Sequence, residues 1–588
     1  MKVYVGDPAA ARAYVEADRG RADDYYLAEG TGFARRFTAT DARVTELVPL
    51  TGDGYETWVA GRDPDTDQPR GQLRDDDRAV RFVEVVVNGP KTWSLAAALH
   101  PDIAAAYEAA QDRAAEQIIG WLAEHATTRV GPRGGQVQVP LQVLEAATVR
   151  HYTSRANDPH WHLHLQLLSR VFAAGKWRGL HTVGIRDSLG AINGIGHAAM
   201  ACDPELNAAF AAHGYTKDAT GEIQELADYA GPFSARNAQI ARNVDRYERE
   251  WTATHPGERP GPALRRAWDA RAWADGRPDK VVAQPGVTLD ERWRGQLSGL
   301  GYRGPSGPVD LAPTPVGALD REELVQRALA RLAADRSAWN APDVRGEVER
   351  LIAAAGVVVQ AAVRIELAED VAARAMDRCL PLLDRDGVPE HIRAWTSRPV
   401  LAVEAELAAR LATRVTERPA GVPDTDQTPL VDVAAGAARL DPGQAAAVVA
   451  LAGRRRLVVI EGAAGAGKTT TLAATRSLLA EQGRRLVVVT PTLKAAKVVA
   501  AEVGAVAGSA ARLAFEYGWR WNDDGAWARL GIGDLCPTTG GVYAGPGRGR
   551  GSARGPPRRG RGRDAGSGHR PGPADGRRRV PGAPRPAR

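Results

Sequence analysis

The sequence predicts a multidomain protein: an α+β domain with a central antiparallel sheet, a helical connector, an α/β fragment around a glycine-rich loop, and a disordered tail. Three observations predict this organisation. The 588 residues are too many for one hydrophobic core. Strand-like runs mix with Ala-rich helical stretches over the first 300 residues. A second alternation of strands and helices surrounds a Gly-rich turn near residue 465.

The first predicted domain covers residues 1–304. Residues 83–87 and 148–151 have the β-branched, alternating pattern of strands, and residues 103–125 have the spacing of a helix. Pro and Gly then cluster from 305 to 315, which indicates a loop. A connector with flanking loops follows over 305–429, because Ala, Leu, Arg and Glu recur at helical spacing from Asp320 to about Arg418.

The second α/β unit is predicted over residues 430–546. Strands are expected over 456–460 and 485–490, with a helix from Thr469 to Gln482 between them, and this alternation is typical of a parallel sheet. Residues 547–588 consist mainly of Gly, Arg, Pro and Ala, which offer almost nothing to a core. We expect this tail to be disordered.

Charge and cysteine content restrict the functional classes. The formal net charge is +6, but residues 547–588 contain 13 Arg and two Asp, so residues 1–546 carry −5. Global charge is therefore no argument for nucleic-acid binding. The three cysteines are far apart in the sequence and lack CxxC spacing, so neither a disulfide framework nor a thiolate zinc site is supported. No apolar run is long enough to cross a bilayer, so we expect a cytoplasmic protein without membrane insertion.

Four histidines fall within fourteen residues, at positions 151, 160, 162 and 164. The alternation from His162 onwards predicts a strand, so that His162 and His164 share one face. Two such imidazoles can hold one metal ion together with a third from a neighbouring strand. His151 and His160 both compete for that third place, and a solvated strand face without metal is the alternative.

The segment from His151 to His164, with Asp158-Pro159 in its turn, resembles a motif of MobF-type conjugative relaxases in the HUH endonuclease superfamily. The resemblance covers about residues 20–300 and implies a palm-like antiparallel sheet. It assigns His151, His162 and His164 as the metal ligands and leaves His160 outside the ligand set. It also implies a divalent cation, Mg²⁺ or Mn²⁺.

Members of that family attack a DNA phosphate with an N-terminal tyrosine, and this chain carries the pair Tyr25-Tyr26 where the family has it. Tyr14 and Tyr4 are weaker candidates, and ordinary packing is the alternative role. A phenol has a pKa of about 10, so attack near neutral pH needs a base or a cation that stabilises negative charge. The resemblance implies that the 3′-hydroxyl leaves and a 5′-phosphotyrosine forms.

The segment from Phe82 to Ser94 resembles a second family segment that contains an aspartate where this chain has Glu84. In the resemblance, that acid orients a metal-bound histidine or assists the tyrosine. A glutamate could do so only if its extra methylene is accommodated.

Residues 462–469 match GxxxxGK[ST] between a predicted strand and a helix, as a phosphate-binding P-loop requires. Its backbone at Gly462, Gly465 and Gly467 would cradle phosphates, Lys468 would reach the β and γ oxygens, and Thr469 would hold Mg²⁺. Asp441 to Gln444 resembles the adenine-reading glutamine motif of RecD-type superfamily 1 helicases, and residues 489–496 resemble their motif Ia. These resemblances imply ATP with Mg²⁺ as a cofactor.

An acidic Walker B strand and later helicase motifs are not found in the sequence. A shift of the reading frame between Pro546 and Gly555 would restore an apolar strand that ends in Asp-Glu. We therefore expect a frameshifted tail and a truncated, inactive helicase part. A basic nucleic-acid arm is the alternative role of these residues.

The predicted function is a conjugative DNA relaxase that nicks one strand at a transfer origin. Its expected partners are single-stranded or hairpin DNA, accessory relaxosome proteins and a coupling ATPase. A rolling-circle replication initiator with the same chemistry and a non-cleaving single-strand binding module are the alternatives. A third hypothesis, ATP-driven unwinding as the main activity, conflicts with the missing acidic motifs.

Overall fold

The computed structural model describes residues 1–546 with three long gaps, at 20–32, 255–288 and 417–439. Within the second gap Trp268, Arg271 and Ala272 are described. Short gaps lie at 42, 75, 77, 133–135, 155, 454, 464, 523–524, 526 and 538. Tyr25, Tyr26 and the predicted disordered tail lie outside the described residues.

A six-stranded antiparallel sheet forms the centre of the N-terminal domain, in the strand order β1-β4-β8-β7-β2-β3. This confirms the predicted fold class. The strands of the domain are β1 (Lys2–Val5), β2 (Ala34–Thr40), β3 (Arg43–Leu50), β4 (Val80–Val87), β5 (Thr127–Val130), β6 (Val137–Pro140), β7 (Leu144–Thr153), β8 (Pro159–Leu168), β9 (Arg170–Ala173) and β10 (Lys176–Gly179).

Helices cover both faces of this sheet. The helices of the domain are α1 (Pro8–Arg19), α2 (Gly52–Val59), α3 (Lys91–Leu99), α4 (Pro101–His125), α5 (Thr182–Asp187), α6 (Leu189–Ala201), α7 (Pro204–Ala212), α8 (Ala235–Thr254) and α9 (Leu289–Gly299), with a 3₁₀ turn at Gln224–Tyr229. The predicted helix over 103–125 is thus confirmed as α4.

The alternation of side chains along β8 divides the core into two layers. Leu163, Leu165 and Leu167 belong to the large core under α3 and α4. Leu168 belongs to a smaller core under α1 and α2, together with Val149 of β7. Residues 162, 164 and 166 therefore face the α1–α2 side of the sheet.

The connector is built mainly of helices, as predicted, and these pack on the first domain. Its elements are a 3₁₀ turn at Val316–Ala318, α10 (Arg321–Asp335), α11 (Ala341–Ala354), α12 (Ala361–Asp377), β11 (Leu380–Pro381), β12 (Trp395–Thr396) and α13 (Arg398–Thr416). The short strand pair β11–β12 was not predicted.

Glycines bring α11 against α6. A Cβ added to Gly194 would lie 2.6 Å from the carbonyl oxygen of Gly346, and one added to Gly346 would clash with the backbone of Gly190. Nδ2 of Asn340 also donates to the carbonyl of Asp187 over 2.9 Å. The boundary between residues 304 and 305 stays a prediction, but the helices beyond it share a close interface with the first domain.

The C-terminal part contains a short parallel strand pair between helices. Its elements are α14 (Pro442–Ala452), α15 (Lys468–Glu481), β13 (Val487–Thr490), α16 (Leu493–Val503), β14 (Val506–Ser509), α17 (Ala510–Glu516), β15 (Trp519–Trp521) and β16 (Trp527–Arg529). Strands β13 and β14 pair in parallel, which is the kind of sheet that the alternation predicted, although β14 itself was not predicted.

The predicted strand over 456–460 is wrong for the described structure. Residues 457–460 have no strand assignment, and the side chain of Val459 is 85% exposed. A strand needs a hydrogen-bonded neighbour, and none of the described residues pairs with this segment. The apolar run alone could not reveal that lack.

Every helix in the described part of the chain is too short or too polar to cross a membrane.

Candidate active site

Three histidines from two neighbouring strands converge on the α1–α2 side of the sheet. His151 of β7 lies opposite His162 of β8 in the strand register, and His164 follows two residues later on the same face. The ring centroids are 5.2 Å apart for His151 and His162, 4.6 Å for His151 and His164, and 4.9 Å for His162 and His164. One nitrogen from each ring lies within 4.8 Å of the others.

A tight turn between β7 and β8 produces this convergence. The backbone N–H of Ser154 donates to the carbonyl of Asp158 over 2.9 Å, and Asn157 adopts a left-handed φ of 57°. The Asp158 carboxylate accepts the backbone N–H of Ala235 over 3.0 Å, which ties the turn to the start of α8. Nε1 of Trp293 donates to the carbonyl of Asn157 over 2.9 Å, which ties it to α9.

The backbone orients one of the three imidazoles. Nδ1 of His162 lies 2.8 Å from the carbonyl oxygen of His160. A carbonyl can only accept, so Nδ1 carries the proton and Nε2 is left with a free lone pair. The His160 ring stacks on His162 with centroids 4.3 Å apart and does not belong to the three-histidine group. The structure therefore favours the set His151, His162 and His164.

Glu84 of β4 lies beside a second imidazole. Its Oε1 lies 3.3 Å from Nδ1 of His164. Its Oε2 accepts a hydrogen bond from Nε2 of Gln166 over 3.3 Å, and Oε1 of Gln166 in turn accepts the hydroxyl of Tyr55 over 2.8 Å. Four side chains thus form a connected series from α2 to the histidine group.

The sequence patterns did not indicate Gln166 and Tyr55 as residues of the site. Gln166 lies two residues after His164, so the same period of two that pairs the histidines could have placed it on their face. Tyr55 is 111 residues away from Gln166, and nothing local in the sequence links the two.

Burial lowers the pKa of two of the histidines, and the pKa of the Glu84 carboxyl is lowered as well. Burial lowers the pKa of His160 to about 4 and that of His162 well below the ordinary value, with a further contribution from neighbouring histidines. Burial raises the pKa of Glu84, but its contacts with His164, Gln166 and Lys2 outweigh this effect, so the net shift is downward. Neutral imidazole is the form that ligates metals.

The three histidines fit a divalent cation. Nε2 of His164 is buried and has no hydrogen-bond partner among the described residues, although a buried nitrogen without a partner is costly. An anionic carboxylate on the far nitrogen of a ligating histidine is the usual supporting contact, and Glu84 supplies it. The donor set is compatible with a metal held on three sides and open on the fourth.

The predicted nucleophiles follow α1 in the sequence. Ala11 and Val15 of α1 pack in the same core as Val149, which precedes His151 by two residues on the same strand face. Residues 20–32, which contain Tyr25 and Tyr26, follow directly after α1. The positions of the two phenols themselves lie outside the described residues.

The predicted phosphate loop precedes α15. Gly465 and Gly467 have left-handed φ values of 81° and 69°, which explains the requirement for glycine at both places. Nζ of Lys468 donates to the carbonyls of Gly462 and Ala463 over 2.9 and 2.6 Å. Thr469 is the second residue of α15.

Gln444 contacts this loop directly. Its side chain accepts the backbone N–H of Asp441 in a capping box at the start of α14, and its Nε2 donates to the carbonyl of Ala466 over 3.2 Å. The structure thus brings together the glutamine and the P-loop that the sequence predicted as one nucleotide site.

Family models match two separate parts of the chain. Residues 8–300 match the family model described as TrwC relaxase. The N-terminal half of the chain belongs to the TrwC relaxase family. Residues 439–534 match the model of an AAA domain, so the relaxase domain is followed by a helicase-like P-loop domain, as predicted. The histidines and Glu84 fall inside the relaxase match, and the P-loop falls inside the AAA match.

Solved structures of one relaxase are similar to this chain. Conjugative relaxase TrwC in complex with oriT DNA, in a copper-bound form, is 21% identical over 51% of this chain and 98% of that one, with a TM-score of 0.38. TrwC complexed with a 27-mer DNA that comprises the recognition hairpin and the cleavage site is 19% identical over 51% and 99%, with a TM-score of 0.37. No curated protein matches the chain.

Proposed function

We propose that the relaxase domain nicks one DNA strand at a transfer origin by metal-dependent transesterification onto a tyrosine. The observation that carries this proposal is the convergence of His151, His162 and His164, whose ligand nitrogens lie within 4.8 Å of one another. Membership of the TrwC relaxase family supports the reaction class. The DNA partner is a single strand or a hairpin next to the cleavage site, with accessory proteins and a coupling ATPase as further partners.

The chain's own groups have distinct tasks in this reaction. The three imidazoles would hold a divalent cation, Mg²⁺ or Mn²⁺, which when bound supplies Lewis-acid stabilisation of charge on the scissile phosphate. Glu84 fixes the orientation of His164, and the His160 carbonyl fixes that of His162. The phenol of Tyr25 or Tyr26 loses its proton and bonds to phosphorus, while the bond to the 3′-oxygen breaks. The resulting 5′-phosphotyrosine preserves the ester for later rejoining.

Cleavage of a labelled single-stranded oligonucleotide library tests this proposal in the full chain. We expect cleavage with Mg²⁺ or Mn²⁺, none with EDTA, and none in His162→Ala/His164→Ala. The variant His125→Ala is a suitable control because His125 lies in the last turn of α4, where it pairs with Glu390 and does not belong to the three-histidine group. Cleavage in EDTA, or undiminished cleavage in the double variant, would refute the role of the histidines.

The AAA part is proposed to bind ATP with Mg²⁺ without turning it over. The glycine conformations and the Lys468 and Gln444 contacts support a phosphate cradle. Hydrolysis also needs a carboxylate that positions Mg²⁺ and water, and usually an arginine from a second domain. The sequence after β14 contains no apolar strand that ends in Asp-Glu. We therefore propose a truncated helicase part without ATPase or unwinding activity.

An ATPase assay with and without single-stranded DNA tests this second proposal. We expect no DNA-stimulated turnover, whereas equilibrium binding of ATP should be lost in Lys468→Ala. Turnover that rises with DNA and disappears in Lys468→Ala would contradict the truncated-motor interpretation.

A further inference from the structure

A second candidate site lies beside α9 and shares no residue with the three-histidine group. It is a cavity of 470 Å³ between the ends of α3 and α7, helix α9 and the segment 302–307. Its chemistry-bearing lining residues are His100, His213, Tyr215, Arg294, Tyr302 and Arg303. This volume lies within the range of ligand pockets and is large enough for a nucleotide.

The cavity carries positive charge that the protein does not neutralise. Arg294 and Arg303 have no ion-pair partner among the described residues, and Arg294 makes only a 3.4 Å hydrogen bond to the carbonyl of Leu99. The carboxylate of Asp102 binds Nε2 of His213, another lining residue, over 2.8 Å. Two guanidinium groups are therefore available to an anion.

Neutral hydrogen-bonding groups form the wall beside these arginines. The hydroxyl of Tyr215 lies 3.0 Å from Nε2 of His100 and 2.8 Å from the hydroxyl of Tyr302. The rings of His100 and His213 lie 3.9 Å apart. Burial lowers the pKa of His100 to about 4 and raises that of Tyr215, so both stay uncharged near neutral pH.

The wall formed by residues 302–307 is held in place by a close backbone contact. Gly214 has a left-handed φ of 78°, and any Cβ at this position would clash with the carbonyl oxygen of Gly307. The backbone N–H of Val309 then donates to the carbonyl of Ala211 over 2.9 Å. The cavity is therefore a feature of the packed domain and does not depend on an unanchored loop.

Helix α9 connects the cavity to the candidate active site. Trp293 donates to the turn between β7 and β8, and the next residue, Arg294, lines the cavity. Arg294 is therefore adjacent in sequence to a residue that contacts the turn between the two strands that carry the histidines. Guanidinium groups bind phosphate through paired N–H donors, and a hydroxyl-lined wall suits the remaining phosphate oxygens.

We propose that this cavity binds a phosphate group of a DNA strand away from the cleavage site, with Arg294 and Arg303 as its principal ligands. The choice of DNA as the source of the phosphate rests on the proposed relaxase function. A free nucleotide carries the same group and is the alternative source.

Fluorescence anisotropy of a labelled single-stranded 20-mer, titrated with the full chain at several KCl concentrations in EDTA, tests the inference. In Arg294→Ala/Arg303→Ala we expect at least about a tenfold loss of affinity at low salt. The slope of log affinity against log salt should fall by about 0.7 for each lost phosphate contact. Arg294→Lys/Arg303→Lys should restore the slope more than the affinity, because lysine keeps the charge but not the paired donors.

The matched control is Arg385→Ala/Arg398→Ala, two exposed arginines of the connector, and unfolding midpoints of all variants should agree. Equilibrium dialysis with dTMP forms the second arm. Loss of dTMP binding with unchanged DNA affinity would support the phosphate site but assign it to a free nucleotide. DNA and dTMP binding equal to the control would overturn the inference. Because anisotropy measures binding and needs no cleavage, this outcome is separate from that of the cleavage assay.

Discussion

Glu84 lies opposite Gln166 on the neighbouring strand, and its Oε2 accepts a hydrogen bond from Nε2 of Gln166 over 3.3 Å. Its other oxygen lies 3.3 Å from Nδ1 of His164. Each carboxylate oxygen therefore has one partner, and both partners stand on β8. This arrangement accommodates the methylene by which glutamate exceeds the aspartate of the resembled family segment.

Replacing Glu84 should weaken metal binding. Glu84→Gln removes the negative charge behind His164, and Glu84→Asp shortens the side chain so that it can no longer reach both partners. We expect about a 10- to 100-fold lower affinity for Mn²⁺ in Glu84→Gln, measured by calorimetry. The exposed Glu404→Gln serves as the control. Equal Mn²⁺ affinity in the Glu84 and Glu404 variants would disprove the orienting role.

Gln166 and Tyr55 should act through Glu84. Gln166→Leu removes the donor to Glu84 while keeping the volume, and Tyr55→Phe removes the hydroxyl that holds the Gln166 amide. We expect Mn²⁺ affinity to fall less in Gln166→Leu than in Glu84→Gln, and least in Tyr55→Phe. Adding Gln166→Leu to Glu84→Gln should cost little more, since residues of one network are not additive. Two results would contradict a shared network: losses of Mn²⁺ affinity that add fully in the double variant, or losses no larger than that of the exposed Gln68→Leu.

Gly346→Ala should destabilise the protein, because Gly346 of the connector helix α11 packs against helix α6 of the relaxase domain. The added methyl would clash with the backbone of Gly190 on α6, and backbone cannot yield as a flexible side chain does. We expect a loss of about 3 kcal/mol or more in the free energy of unfolding by urea. Gly295→Ala is the matched control, because its Cβ meets nothing within 4 Å in α9. A Gly346→Ala protein as stable as the control would show that the helices do not share this interface in solution.

Lys217 should give the unfolding free energy a distinct pH dependence. Burial lowers its pKa from 10.5 to about 8, so between these values the unfolded chain retains a proton that the folded chain has lost. Stability should therefore rise with pH through this interval. Lys217→Met should reduce the slope between about pH 8 and about pH 9.5 by about 1 kcal/mol per pH unit.

Buried Lys91, whose pKa is also lowered to about 8, retains its own share of the slope in that variant. The exposed Lys176→Met should leave the slope unchanged. A Lys217→Met slope equal to that of the unsubstituted chain would contradict the assignment.

The sequence predicted those parts of the site that depend on local periodicity. The alternation along β8 was enough to place His162 and His164 on one face, and the family motif added His151 from the partner strand. His151 rather than His160 joins the other two histidines because of the register between β7 and β8, which the spacing of the histidines alone left open. The link from Tyr55 to Gln166 spans 111 residues and depends on how α2 packs on the sheet.

The prediction of a strand over residues 456–460 was wrong because a sequence pattern does not show whether a strand has a pairing partner. An apolar β-branched run shows that a segment is suited to a strand, but a strand forms only where a neighbour supplies hydrogen bonds. The pairing of β13 with β14 satisfies those two segments and leaves residues 457–460 without a described partner. Similarly, the connector's packing on α6 depends on facing glycines in two helices that are far apart in sequence.

Detection of a covalent DNA adduct tests directly whether Tyr25 or Tyr26 attacks DNA with the help of a metal held by the histidines. The full chain is incubated with a single-stranded oligonucleotide library labelled at the 3′ end, because the fragment with the new 5′-phosphate stays on the protein. We expect a labelled protein band that requires Mg²⁺ or Mn²⁺, maps by peptide mass spectrometry to Tyr25 or Tyr26, and disappears in His162→Ala/His164→Ala. An adduct that forms in EDTA, survives the histidine double variant, or maps to another residue would contradict this expectation.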